Sequence, residues 1–166
     1  MSRQKLIIVV LLLMSNMIFC QENKEYVSVK TNSGELRIAG IWNQLNTMDD
    51  SGQTYLKNND GVIIAVAKNP KKAYPFFKIN KSDYQNVVGF YKWDSEYRKE
   101  NHFKTVKIKE NSELAYVIWK YADDKMDNVF LFGSVKENFI NLLVYTNSWS
   151  EIEKIKFLEN TLQLNK

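Results

Sequence analysis

One cysteine and one histidine are all that this 166-residue chain has of two common metal-ligating residues. The cysteine, Cys20, has no second thiol to pair with, so no disulfide can form within the chain. His102 alone excludes a His-rich zinc site, and a chain cleaved after Cys20 has no thiolate site either. Two prolines and six glycines leave no linker, no low-complexity tract and no Gly-rich phosphate loop. There is no Gly-x-Ser-x-Gly elbow for a serine nucleophile. Neither sign of charge dominates, with 23 Lys and Arg against 19 Asp and Glu. The formal net charge is +4, two units of which come from Arg3 and Lys5, leaving +2 from Gln21 onward. Lys68, Lys71 and Lys72 around Pro70, and Lys104, Lys107 and Lys109 along one strand, read as solvated faces rather than a polyanion site. No nucleic-acid partner and no cofactor is expected.

What is present begins with an address. Arg3 and Lys5 precede the apolar run Leu6–Met14, which continues through Phe19 to Cys20, the pattern of a secretory signal peptide. Ser15 and Asn16 interrupt it, and it falls short of the roughly 20 residues of a spanning helix. Cys20 is small enough to precede an ordinary cut, so residues 1–20 are expected to be removed and Gln21 to start the mature chain. Lipidation at Cys20 is the alternative, disfavoured by Phe19, and only then would the protein contact a membrane. Lysine outnumbers arginine 20 to 3, as in AT-rich bacterial genomes. The expected location is the periplasm or the cell exterior, and residues 21–166 are expected to form one α+β domain.

Strand signals are dense. Tyr26–Val29 and Glu35–Ile38 flank Asn32-Ser33-Gly34; Ile41–Met48 and Thr54–Lys57 flank Asp49-Asp50-Ser51-Gly52. Asp60-Gly61, a hairpin dipeptide, leads into Val62–Ala67. Four more strands follow over Phe103–Lys109, Leu114–Tyr121, Val129–Gly133 and Phe139–Thr146, joined by short polar turns. The last three are apolar on both faces. Tyr116, Ile118, Val129, Leu131, Ile140, Leu142 and Val144 oppose Val117, Trp119, Phe130, Phe132, Phe139, Leu143 and Tyr145. Strands apolar on both faces are covered on both. Phe103–Lys109 alternates with lysine and is expected nearer an edge. The fold class is thus α+β: an antiparallel sheet of six or seven strands covered by helices over 82–100 and 148–163.

Each helix opens on a Ser-x-x-Gln/Glu capping box, Ser82 with Gln85 and Ser148 with Glu151. Ile152, Ile155, Leu158 and Leu162 make the second helix's apolar stripe. The first has two stripes, Tyr84, Val87, Val88 and Tyr91, and then Phe90, Trp93 and Tyr97, roughly 135° apart. One faces the sheet. The other either packs beneath Asn69–Ile79, with Tyr74, Phe76 and Phe77, or forms a ligand or partner surface of Phe90, Trp93 and Tyr97.

The strand–turn–strand of Tyr55–Ala67, and the last strand running through Asn147-Ser148-Trp149 into an Ile-x-x-Ile-x-x-Leu helix over Phe139–Leu162, resemble the Mog1/PsbP-like fold. The resemblance lies in the order of elements and covers most of the chain after residue 20. Other layered α+β folds, including cystatin-like ones, share that order. The resemblance implies a small non-enzymatic accessory or partner-binding protein of the bacterial envelope, and no site residue carries over.

Asp123, Asp124, Asp127 and Asn128 group hard oxygen ligands in one turn, a candidate Ca²⁺ site without EF-hand spacing. Asp94 with Glu96, and Glu110 with Glu113, read as solvated faces. The expectation is an exported binding or assembly module whose partner is a protein or an envelope ligand. A small hydrolase using carboxylates or His102, and an inhibitor or immunity-type protein that blocks an enzyme, are the alternatives.

Overall fold

A computed structural model describes residues 25–123 and 125–166. The signal segment with Cys20, and Asp124 of the acidic turn, lie outside the described residues.

The chain opens as a hairpin of β1 (Tyr26–Thr31) and β2 (Gly34–Ala39), paired antiparallel from Tyr26 opposite Ala39 to Thr31 opposite Gly34. Next come β3 (Asn43–Thr47), β4 (Thr54–Lys57) and β5 (Ile63–Pro70), then a single 3₁₀ turn at Lys71–Ala73. Helix α1 (Asp83–Glu100) leads to the meander β6 (Lys104–Asn111), β7 (Tyr116–Ala122), β8 (Asp127–Val135) and β9 (Asn138–Tyr145), and α2 (Glu151–Leu164) closes the chain. Seven strands form one antiparallel sheet in the order β3-β4-β5-β9-β8-β7-β6. The α+β class and the antiparallel sheet expected from the sequence are present. β6, the lysine-bearing strand, is at an edge, where charge discourages pairing with another chain.

Alternation divides the core into two clusters. One face gathers Tyr116, Ile118, Val129, Leu131, Ile140, Leu142 and Val144 under Leu158 and Leu162 of α2 and under Val29, Leu36 and Ile38 of the hairpin. The other gathers Val117, Trp119, Phe130, Phe132, Phe139 and Leu143 under Val87 and Phe90 of α1. A side chain at Gly133 would meet Leu162 Cδ1 at 3.0 Å, so glycine there lets α2 approach the sheet closely. Asn165, capping α2, accepts a hydrogen bond from Arg37 N–H and donates one to Arg37 C=O, each 2.8 Å, which ties the helix to the hairpin.

Both helices differ in detail from the sequence pattern. Helix α1 begins at the Ser82–Gln85 capping box as expected. In α2 the box is Ser150 with Glu153, two residues beyond Ser148 and Glu151. Ser148 N–H is taken by Thr146 Oγ1, and the chain is still turning out of β9 at that point. Ile152 is correspondingly off the buried stripe, 65 % exposed, because it lies about 120° around the helix from Leu158. In α1 the buried face is neither stripe alone but the seam between them, with Asn86, Val87, Phe90 and Ser95 inside. Tyr91 then flanks Trp119 on one side at 5.8 Å, and Trp93 flanks Tyr74 and Phe76 on the other at 6.3 and 5.6 Å.

Candidate functional site

Helix α1 lies over β6, β7 and β8, leaving the β3–β5 half of the same sheet face without a helix. Between the helix and that half opens a cleft of about 850 Å³, within the size range of small-molecule sites. Its floor is Phe130 of β8 and Asn141 of β9. Phe90, Trp93, Asp94, Tyr97 and Arg98 of α1 form one wall. Asn69 of β5, Tyr74 and Pro75 after the 3₁₀ turn, and Ser51 and Gln53 of the β3–β4 loop form the other.

The second wall is fixed by hydrogen bonds. Asn69 Nδ2 donates to Ser51 C=O and to the Tyr74 hydroxyl, both 3.0 Å, and its Oδ1 accepts from Asn32 Nδ2 at 3.1 Å. One buried side chain thus joins the hairpin turn, the β3–β4 loop and the segment before α1. The Lys71–Asp83 ion pair, 2.5 Å with Lys71 buried, pins that segment to the start of α1. Tyr74, accepting from Asn69, keeps its own proton to donate. Burial raises its pKa, opposed by the Asn69 hydrogen bond and reinforced by the negative charge of Asp94.

The α1 wall carries the aromatic side chains singled out in the sequence. Phe90 is buried and stacks on Phe132 with ring centroids 4.0 Å apart and planes 9° apart. It is core, and one edge of it backs the cleft. Trp93 and Tyr97 are 49 % and 56 % exposed, so about half of each ring is left to solvent. The packing beneath Asn69–Ile79 is present, with Phe90 and one edge of Trp93 against Tyr74 and Phe76, and the remaining surface of Trp93 and Tyr97 lines the cleft.

Asp94, read from the sequence as part of a solvated face with Glu96, is instead largely buried on the cleft wall, and Asn141 is a lining residue that the sequence reading did not single out. Asp94 is only 14 % exposed, and its Oδ1 is 3.6 Å from Arg98 Nε. Burial raises its pKa, and the nearby Arg98 charge offsets that only in part. The signal was its position, at i+4 from Phe90 and i+7 from Val87, on the seam the helix buries. Arg98 spreads its guanidinium over the Tyr121 ring at 4.9 Å and near Tyr97 at 5.6 Å. Asn141 stands opposite Ala67 and Phe132, and its Oδ1 is buried without a protein partner. In the sequence it is the polar break in the Phe139, Leu143, Tyr145 face.

The other candidates lie elsewhere. His102 follows α1 in the left-handed region (φ 67°), with Phe103 N–H bonded to Arg98 C=O across it, so it closes the helix and does not line the cleft. In the acidic turn, Asp123 Oδ1 accepts from Lys125 and Met126 N–H at 2.9 and 2.7 Å, and Asn128 Nδ2 reaches Asp123 Oδ2 at 3.4 Å. Those backbone hydrogen bonds lower the Asp123 pKa. Asp127 turns instead toward Lys120, 3.8 Å away. Among the described residues no group of three or more His, Cys, Asp or Glu is arranged to hold a metal ion. Among them, too, no helix is long and apolar enough to cross a membrane.

Comparison of the chain with the models of known protein families finds no match, and comparison with characterised proteins finds none either.

Proposed function

We propose that this protein is an exported, non-enzymatic binding module of the bacterial envelope that holds a ligand non-covalently in the cleft beside α1. The observation that carries this is the half-exposed pair Trp93 and Tyr97 on a cleft of about 850 Å³. Two neighbouring, half-exposed rings on a concave wall give apolar surface that a bound ligand would cover, and this supports the reading. Asn69, Asn141, Asp94 and Arg98 supply the few oriented polar groups that such sites use for specificity. The N-terminal pattern supports export, and the resemblance in element order to the PsbP-like fold supports an accessory role.

One observation favours a second reading. A carboxyl with a raised pKa in a cleft is a candidate general acid, and Asp94 qualifies. The hydrolase reading would then need Glu96 or Glu100, both on the cleft's rim, as its partner base.

Native mass spectrometry of protein purified from its own host tests the binding reading. The wild type is expected to carry extra mass that is released on denaturation, and Trp93→Ala to carry none. Equal occupancy in both proteins would place the ligand elsewhere, and no extra mass in either would count against a resident ligand.

A further inference from the structure

The cleft has a chemical bias that the chain as a whole does not share. Its lining includes four carboxyl side chains, Asp50, Asp94, Glu96 and Glu100, and a single base, Arg98, in a chain whose net charge is +4. Arg98 is already engaged, facing Asp94 and lying over the Tyr121 ring. The remaining carboxylates therefore have no base of the cleft opposite them. Glu96 and Glu100 follow Trp93 and Tyr97 at helical i+3 spacing, which puts acid and aromatic side chains on one side of α1. Ring faces attract cations through their quadrupole, and carboxylates do so through charge. Asn141 Oδ1 adds a buried acceptor without a partner on the cleft floor. Ring faces, carboxylates and a free carbonyl oxygen together ask for a ligand that is positive, donates hydrogen bonds and has an apolar body.

We infer that the ligand of this cleft is a small organic ammonium compound with an apolar or aromatic body, an inference that rests on the binding reading above. The cleft's volume is that of a site for a whole small molecule rather than for one basic side chain of a partner. The ammonium group sits toward Glu96 and Glu100 on the rim, and the apolar body lies against Trp93 and Tyr74, over the floor that carries Asn141.

Three probes of one shape and different charge test this by NMR titration of ¹⁵N-labelled protein: 2-phenylethylammonium, 2-phenylethanol and 3-phenylpropanoate, each up to about 10 mM. The expected result is saturable shifts at Trp93 and its neighbours, with the ammonium compound bound at least about fivefold more tightly than the other two. The double variant Glu96→Gln, Glu100→Gln, which changes only exposed side chains, is expected to lose that preference while its spectrum stays folded. Trp93→Ala should weaken ammonium binding roughly 2- to 30-fold. If the alcohol or the carboxylate binds as tightly as the ammonium compound, the inference is overturned and the cleft remains a binding site. If none of the three binds, the inference is overturned too, and the binding reading stands or falls on the native mass measurement. If the double variant keeps the preference, the carboxylates are not its source and the assignment is wrong.

Discussion

Asp94 is held where its charge is disfavoured: burial raises its pKa and Arg98 returns only part of that cost. The sign of the pH effect follows. With a folded pKa above the unfolded value near 3.8, the stability tied to its protonated form is fully present below that value. It is lost as pH rises through the folded pKa. Compared with Asp94→Asn, the wild type should therefore lose stability between pH 4 and neutrality, read as a growing gap in urea midpoints. A wild type that gains on the variant as pH rises would show that Arg98 holds the carboxylate ionised. The lowered pKa values of Asp83, Asp123 and Glu159 act in the opposite direction, so only the difference between the two proteins isolates Asp94.

At the scale of the element, capping chemistry places the helices, and two overlapping Ser-x-x-Glu patterns made the start of α2 ambiguous. Ser150 caps it through Glu153 N–H at 3.3 Å, and the Glu153 carboxylate accepts from Ser150 N–H at 2.7 Å. Ser150→Ala should cost about 1 kcal/mol of unfolding free energy, whereas Ser148→Ala should stay within about 0.5 kcal/mol. The reverse order would return the helix start to Ser148. Strand elements were legible almost throughout, because period-two alternation and turn dipeptides are local signals. The β8 and β9 faces separate into the two core clusters as alternation implies. The α1 surface was less legible. Its two aromatic stripes straddle one buried seam, and which part of a wide apolar face goes inward depends on the partner surface, here Phe132 and Trp119. Ile152 illustrates the same limit in α2, since an apolar residue three before Ile155 still lies about 120° around the helix from Leu158 and stays exposed.

Across the whole molecule, the cleft exists because the two sides of the sheet are covered unequally. On one side α2 and the β1–β2 hairpin share the work; on the other, α1 covers the β6–β8 half and leaves the β3–β5 half to a loop and one extended segment. That arrangement is non-local, which is why Asn69, Asn141 and Ser51, far apart in the chain, carried no sequence signal as neighbours. Trp93 and Tyr97 could be singled out because aromatic side chains in excess of what one helix face can bury are visible as a count.

The binding reading turns on whether Trp93 is kept for contact or for stability. Urea unfolding of Trp93→Ala beside Phe90→Ala separates the two most directly. Phe90, buried and stacked on Phe132, should cost about 3–5 kcal/mol when truncated. Trp93, 49 % exposed, should cost no more than about 2 kcal/mol, in line with half a ring's burial. A Trp93→Ala loss equal to that of Phe90→Ala would make the aromatic wall part of the core and contradict the proposal that it is a ligand surface.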